Sequence, residues 1–142
     1  MKAAENGRAI AQNNLGMMYR YARGVKQDYK KALLWYEKAA QHENADSEQA
    51  EQKLGYRLAL NNMAELYLKG LGVKQDPYKA VDLYIMAAEK GLLISKINLG
   101  FLFGNEGKFC FNQGDEEGKK HYLALSREWF QDRINASISN KP

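Results

Sequence analysis

One stretch of sequence that occurs twice decides the fold. Residues 13–40 read NNLGMMYRYARGVKQDYKKALLWYEKAA, and residues 61–88 read NNMAELYLKGLGVKQDPYKAVDLYIMAA. The two copies align without a gap at an offset of 48 positions, and thirteen of the twenty-eight residues are identical. The identities include the pentapeptide GVKQD, at 24–28 and at 72–76. Self-similarity of this kind predicts a solenoid built from repeated structural units.

A second comparison sets the length of the unit. Residues 3–16 (AAENGRAIAQNNLG) match residues 87–100 (AAEKGLLISKINLG) at an offset of 84, which is 48 plus 36. The unit is therefore about 36 residues long, and twelve additional residues separate the first two copies. They fall within the polar segment 41–60, which predicts an N-terminal extension of the next helix. The chain is also expected to open inside the last turn of a preceding unit, with Ala3, Ala4 and Gly7 at helix-end positions.

Each unit predicts two helices, because apolar residues recur at i, i+3, i+4 and i+7 in both halves. In the first unit these residues are Leu15, Met18, Tyr19 and Ala22, then Ala32, Trp35, Tyr36, Ala39 and Ala40. A small residue, Gly16, Ala64 or Gly100, allows the two helix backbones to approach closely. We therefore expect an all-α fold, an α–α superhelix in which antiparallel helix pairs stack into a solenoid.

The repeated pentapeptide has two interpretations, a ligand-binding loop in duplicate or a structural turn. The turn is favoured, because Gly24 and Gly72 follow a helix end, where a left-handed residue is often needed. Asp28 and Asp76 precede the next helix as predicted N-caps, and Pro77 suits the first helical position. The valines are expected to point to the core, and the lysines and glutamines to solvent.

Composition excludes several classes of protein. The 142 residues are 45% apolar, which is ordinary for a globular domain. Lys and Arg number 21 against 17 Asp and Glu, a net charge of +4 without a basic run, so no nucleic-acid partner is expected. The single cysteine excludes an intramolecular disulfide framework. With no apolar run that spans a bilayer and no secretory signal, we expect no membrane insertion and, by default, a cytoplasmic location.

No pattern of catalytic residues is present. His42 and His121 are far apart in sequence, so they form no paired metal motif. Cys110 lies between Phe109 and Phe111 with no nearby base, which favours an apolar cysteine over a nucleophile. The sequence also lacks nucleophile-elbow, Walker and dinucleotide motifs. We expect no enzyme activity, no metal and no cofactor.

The pattern Leu15-Gly16-x-x-Tyr19, Gly24-Val25-x-x-Asp28 and Lys31-Ala32-x-x-Trp35-Tyr36-x-x-Ala39-Ala40 resembles the Sel-one-like repeat, a relative of the tetratricopeptide repeat. The resemblance covers residues 3–104 and fades from 105 onward, where a terminal capping helix is expected. It implies a right-handed solenoid of antiparallel helix pairs that forms a single repeat domain, 1–142. Its parts are the end of a preceding repeat (3–7), a repeat (8–41), a repeat with an extended first helix (42–91), a degenerate capping repeat (92–135) and a tail (136–142).

The resemblance also implies a non-enzymatic protein-interaction module, an adaptor or scaffold that captures a peptide or a partner's surface. In such solenoids the first helices line a concave face, and Leu68 and Ile97 also fall on it. The partner-binding residues predicted there are Asn13, Asn14, Met17, Arg20, Tyr21, Asn61, Asn62, Glu65, Lys69, Asn98 and Phe101.

Three of these residues, Asn14, Asn62 and Asn98, occupy the same position in successive units. A row of asparagines can hold the main chain of an extended peptide, since each side chain carries a donor and an acceptor. The alternative is that each asparagine bonds to a neighbouring helix. The surrounding residues suit a partner with acidic and aromatic character.

Other functions stay open at this level. The resemblance allows an inhibitor or immunity-type binder of a cognate toxin, or a structural spacer joined to further repeats of the same chain. Binding or hydrolysis of penicillin-like compounds belongs to cysteine-rich relatives, and this chain lacks their cysteine pairs. Phe109 and Phe111 either cap the stack or form a docking edge.

Overall fold

The computed structural model describes residues 7–42 and 50–104, with the single positions 4, 124 and 131. Within that part of the chain the secondary structure is helical, without strands. The helices are α1 (Ala9–Tyr21), α2 (Tyr29–Ala39), α3 (Ala50–Lys69), α4 (Pro77–Glu89) and α5 (Leu93–Gly104). The chain divides into two compact units, Met1–Leu99 and Gly100–Pro142. The first contains α1 to α4 and the start of α5; in the second, the end of α5 and positions 124 and 131 are helical.

The helices of the first unit pack as repeated pairs. Helix α1 packs on α2, α3 packs on α4, and α3 also contacts both α1 and α2. This is the arrangement of a helical solenoid, because each pair buries its apolar faces against its neighbour. The all-α repeat fold predicted from the duplicated stretch is confirmed.

Small residues allow the two helices of a pair to lie close together. A Cβ at Gly16 would lie 2.5 Å from the Cε1 atom of Tyr36 and 3.1 Å from the carbonyl oxygen of Ala32. The equivalent pair in the second unit is Ala64 and Tyr84, which are both buried. The predicted close approach is therefore present, and two tyrosine rings fill the core beside it.

The additional residues between the repeats lengthen α3, as predicted. Helix α3 begins at Ala50, seven residues before the position equivalent to the start of α1. A Cβ at Gly55 would collide with the backbone nitrogen of Ile10, so the extension contacts the start of α1 directly. The side chain of Gln52 accepts a hydrogen bond from the N–H of Ala9 at 2.6 Å. It satisfies one of the free donors at the first turn of α1, where the side chain of Arg8 forms no cap.

The GVKQD loops close the two hairpins. The carboxylate of Asp28 accepts a hydrogen bond from the N–H of Lys31 at 3.0 Å, and that of Asp76 accepts one from Lys79 at 3.1 Å. Both N-caps are confirmed, as is Pro77 in the first turn of α4. Gly24 and Gly72 have the expected positive φ, 74° and 73°.

One detail of these loops differs from the predictions. Ala22, placed by its spacing on the apolar face, is exposed and ends α1 in the left-handed conformation at φ 55°, where the second unit has Gly70 at 68°. The glutamines are exposed, as predicted. Their side-chain amides also donate to the carbonyl oxygens of Arg20 and Leu68, at 2.7 and 2.8 Å, and so satisfy acceptors at the ends of α1 and α3.

Candidate functional site

The candidate site is the surface formed by the first helix of each repeat, and we call it the first-helix face. The structure places the predicted residues at three depths. Exposed are Asn14, Tyr21, Lys69 and Ile97; half-buried are Met17, Asn62, Glu65, Leu68 and Asn98; buried are Asn13, Arg20 and Asn61. Phe101 lies in α5, and its side chain is outside the described part of the structure.

The asparagines form a repeated contact between helices. Asn62 on α3 donates from Nδ2 to Oδ1 of Asn13 on α1 at 2.8 Å. One repeat later, Asn98 on α5 donates to Oδ1 of Asn61 on α3 at 3.0 Å. The two acceptors are 1% and 5% exposed, respectively. The donors thus bond to a neighbouring helix, which is the second of the two interpretations that the sequence left open.

The repeated asparagine hydrogen bond does not extend beyond α1. Asn14 is equivalent to the donors Asn62 and Asn98, yet its side chain is exposed and makes no hydrogen bond to the described residues. In the third unit the acceptor position is occupied by Ile97, which cannot accept. Ser95 supplies an additional donor there, from Oγ to Oδ1 of Asn61 at 2.9 Å.

A buried ion pair crosses the same face. Nη1 of Arg20 lies 2.5 Å from Oε2 of Glu65, with 6% and 27% of the two side chains exposed. This pair lies near the two core tyrosines. Burial raises the pKa of the Tyr36 and Tyr84 hydroxyls well above its usual value, and Glu65 acts in the same direction, while Arg20 opposes it. Both phenols therefore stay neutral at physiological pH, and the Tyr36 hydroxyl has no hydrogen-bond partner among the described residues.

Tyr21 is the prominent aromatic side chain of the face. It is 47% exposed, and the guanidinium carbons of Arg20 and Arg23 lie 4.9 and 5.3 Å from its ring centroid. Cation–π contacts of this kind hold an aromatic ring in place. Tyr21 is therefore an exposed and oriented aromatic group beside a buried charge.

The described residues contain no group of three or more His, Cys, Asp or Glu side chains that could hold a metal ion. None of the helices described is long and apolar enough to cross a membrane. Cys110, His121, Phe109 and Phe111, all considered from sequence, lie outside the residues whose side chains are described. The described part of the first-helix face contains hydrogen-bonding amides, one ion pair and an exposed aromatic ring. Groups of these kinds can bind a partner.

Some site contacts could not be read from the sequence. Arg20 and Glu65 are 45 positions apart, and the repeat alignment pairs them with Leu68 and Met17, so no repeated pattern links them. Ser95 likewise stands where the other units have alanine. A usable signal was present for the asparagines, since two adjacent asparagines recur at 13–14 and 61–62.

Comparison with known proteins agrees with this geometry. The model of the Sel1 repeat matches residues 9–44 and 57–92, two blocks with the offset seen in the sequence. The chain is similar to a solved Sel1 repeat protein from Oxalobacter formigenes, with 26% identity, a TM-score of 0.55, and coverage of 92% of this chain and 46% of that one. A further similarity is to c5321, a protective antigen of uropathogenic Escherichia coli with an SLR fold (26% identity, TM-score 0.34, coverage 89% and 32%).

The chain thus spans less than half of each of these solved structures. A search of curated protein sequences returned no match. The matched repeats cover half of the chain, and the helix pairs and their contacts follow the same division. The chain therefore belongs to the Sel1 repeat family, whose members are generally protein-interaction modules and typically non-catalytic.

Proposed function

We propose that this chain is a non-enzymatic adaptor that captures a peptide segment of a partner protein along the first-helix face. The observation that carries the proposal is the pair of half-buried asparagines, Asn62 and Asn98, held in equivalent positions by equivalent hydrogen bonds. Each uses one N–H to reach the neighbouring helix. Within the described part of the chain, its carbonyl oxygen and its second N–H form no other hydrogen bond, so both can meet a ligand.

The hydrogen bonds between repeats support peptide binding because they orient these amides before a ligand arrives. An amide that is already held loses little side-chain freedom on binding, which lowers the entropic cost. A peptide main chain presents N–H and C=O groups at regular intervals, and asparagine side chains can bond to both. The asparagines would then serve stacking and capture together.

The exposed residues at the rim supply candidate specificity contacts. Tyr21 offers an oriented aromatic surface, and tyrosine is enriched among the residues that dominate binding energy. Asn14 and Lys69 are exposed on the same helices. The buried residues Asn13, Asn61 and Arg20 contact Asn62, Asn98 and Tyr21, and we propose that they position these three side chains.

Selection from a random peptide library displayed on phage tests the proposal. We expect enriched peptides to bind the intact chain and to lose about tenfold or more in affinity for Asn14→Ala/Tyr21→Ala/Lys69→Ala, as loss of a hot-spot aromatic predicts. These substitutions leave the contacts of Asn13 and Asn61 intact. The matched control is Leu34→Ala/Glu37→Ala/Asp82→Ala, three exposed residues on the second helices. Equal binding to both variants, or enrichment no greater than for an unrelated helical domain, would contradict a first-helix binding face.

A further inference from the structure

The two GVKQD loops each border a cleft, and the two clefts have equivalent walls. The first has a volume of about 270 Å³ and is lined by Tyr19, Lys26, Gln27, Asp28 and Lys31. The second has a volume of about 490 Å³ and is lined by Tyr67, Lys74, Gln75, Asp76, Lys79, Pro77 and Tyr78. Every residue of the first cleft has its identical counterpart in the second, 48 positions later. A turn needs the glycine and the aspartate, and Tyr19 and Lys31 belong to the repeat pattern given above, but neither the turn nor that pattern requires the lysine at position 26 that recurs at position 74.

The lysines of both clefts are available to a ligand. All four are exposed, and none forms an ion pair within the described residues. The aspartate of each cleft is occupied, since it caps the following helix through the N–H of Lys31 or Lys79. One N–H in the first turn of that helix is therefore bonded within the protein, and the lysine side chains supply the full positive charges that a ligand meets.

One lysine of each cleft is held over an aromatic ring. Nζ of Lys31 lies 5.5 Å from the ring centroid of Tyr19, and Nζ of Lys79 lies 5.0 Å from that of Tyr67. A cation–π contact restricts a side chain that is otherwise mobile, so the ammonium group is oriented before binding. The glutamine of each loop is bonded to the end of the preceding helix, which fixes a second wall.

The two loops lie side by side. The Cβ position of Gly72, in the second loop, is 2.8 Å from the Cβ of Tyr29 and 3.0 Å from the backbone nitrogen of Lys30. Tyr29 and Lys30 directly follow Asp28 of the first loop. The clefts are thus neighbours along one edge of the repeat stack, and the exposed Lys30 lies where the two loops meet.

We propose that the two clefts together form a site for an acidic peptide segment, with carboxylates of successive side chains paired to the lysines of each cleft. The four cleft lysines and Lys30 outnumber the two capped aspartates, so this edge is positively charged and complementary to an acidic peptide. Since the clefts are adjacent, one extended segment engages both, and the second contact is intramolecular.

A peptide fits this edge better than a nucleic acid. Each cleft contains a carboxylate close to its lysines, which repels a continuous phosphate backbone but tolerates single carboxylates between other residues. The tyrosine ring in each cleft is covered by a lysine, so it is not a free platform for stacking bases. The site uses none of the residues of the first-helix face, and it does not depend on peptide capture there.

Fluorescence anisotropy with a labelled peptide of alternating Glu and Gly tests the site, with the matching Gln–Gly peptide as the uncharged probe. We expect saturable binding of the Glu peptide, weakened by added salt, and none of the Gln peptide. Lys26→Gln/Lys31→Gln and Lys74→Gln/Lys79→Gln should each weaken binding roughly 3- to 10-fold, and the four substitutions together should abolish it, since each exposed pair contributes modestly.

The control variant is Lys90→Gln/Lys96→Gln, which removes the same charge from exposed positions away from the loops. Weakening below twofold supports the site; a loss equal to that of the cleft variants means diffuse attraction and overturns it. Tighter binding of a labelled oligothymidine, lost in the cleft variants, would overturn the peptide assignment in favour of nucleic acid. Peptides selected on the first-helix face serve as a separate probe, since the cleft variants should bind them normally if both proposals hold.

Discussion

Asn62 donates a hydrogen bond to Asn13 across the boundary between two repeats, at 2.8 Å, and the same bond recurs between Asn98 and Asn61 at 3.0 Å. Each acceptor belongs to the unit that precedes its donor. At both boundaries the buried asparagine of one repeat therefore accepts a hydrogen bond from the repeat that follows it. The register between neighbouring repeats therefore depends on polar as well as apolar contacts.

Removing one acceptor should destabilise the stack. Asn13→Ala leaves Nδ2 of Asn62 without its partner, and we expect the free energy of unfolding to fall by about 1–3 kcal/mol. The control is the neighbouring Asn14→Ala, an exposed side chain, for which a change within about 0.5 kcal/mol is expected. Urea denaturation followed by circular dichroism measures both. Equal losses in the two variants would show that the bond between repeats contributes nothing of its own.

Because the pentapeptide GVKQD occurs twice, the same glycine-to-alanine substitution can be made in two different tertiary surroundings. Gly24 and Gly72 have nearly the same positive φ, so alanine at either position costs about 1–2 kcal/mol of backbone energy. A Cβ at Gly72 would also contact Tyr29 at 2.8 Å, whereas the nearest atom at Gly24 is the Cε of Met18 at 4.0 Å.

We therefore expect Gly72→Ala to lower the free energy of unfolding by at least about 1 kcal/mol more than Gly24→Ala, because it adds overpacking to backbone strain. Thermal and urea unfolding of the two variants provide the comparison. A smaller loss for Gly72→Ala than for Gly24→Ala would mean that the two loops do not pack as described.

The ion pair on the first-helix face should show strong coupling. Glu65→Met leaves the buried Arg20 unpaired, a change that typically costs about 3–5 kcal/mol for a buried pair. Arg20→Leu leaves a carboxylate that is 27% exposed, so it should cost less. The double variant Arg20→Leu/Glu65→Met places at each position the residue of the aligned unit, since Arg20 aligns with Leu68 and Glu65 with Met17. It should be more stable than Glu65→Met alone. A double-mutant cycle on unfolding free energies measures the coupling, and additive single losses would exclude a coupled pair.

Alkaline pH should destabilise the fold through the core tyrosines. Burial raises the pKa of Tyr36 in the folded chain, whereas the unfolded value is about 10. Above about pH 10 the unfolded state loses a proton that the folded state keeps, so stability falls as the pH rises, by up to about 1.4 kcal/mol per pH unit for one group. Its contribution is fully present below that pH.

Tyr36→Phe should therefore reduce the alkaline loss of stability. At neutral pH the substitution should change stability little, since the buried hydroxyl has no partner to lose in the part of the chain that the structure describes. Urea unfolding at pH 8, 10 and 11 provides the measurement, with Tyr21→Phe on the surface as the control. An unchanged alkaline slope in Tyr36→Phe would assign the loss to other groups.

The fold could be predicted largely from the sequence, because helix periodicity, caps and turns are local properties that repeat. Asp28 and Asp76, as N-caps, predicted where their helices begin. The 48-residue offset recurs in the spacing of the two matched repeats. The extended first helix of the second repeat followed from the twelve extra residues. Ala22 was misplaced because the i+7 spacing says nothing about the conformation that ends a helix.

The candidate site was only partly predictable. The alignment located the asparagines on one face, yet whether their amides meet a ligand or a neighbouring helix depends on how closely α1, α3 and α5 approach. The pair Arg20–Glu65 and the contact of Gly72 with Tyr29 occur between different repeats, where identical residues meet different neighbours. By itself the sequence determined the helix pairs and their turns, since these depend on interactions between residues close along the chain. Only the tertiary structure decided which polar groups are used between repeats and which face solvent, because burial and partnership arise from the packing of distant segments.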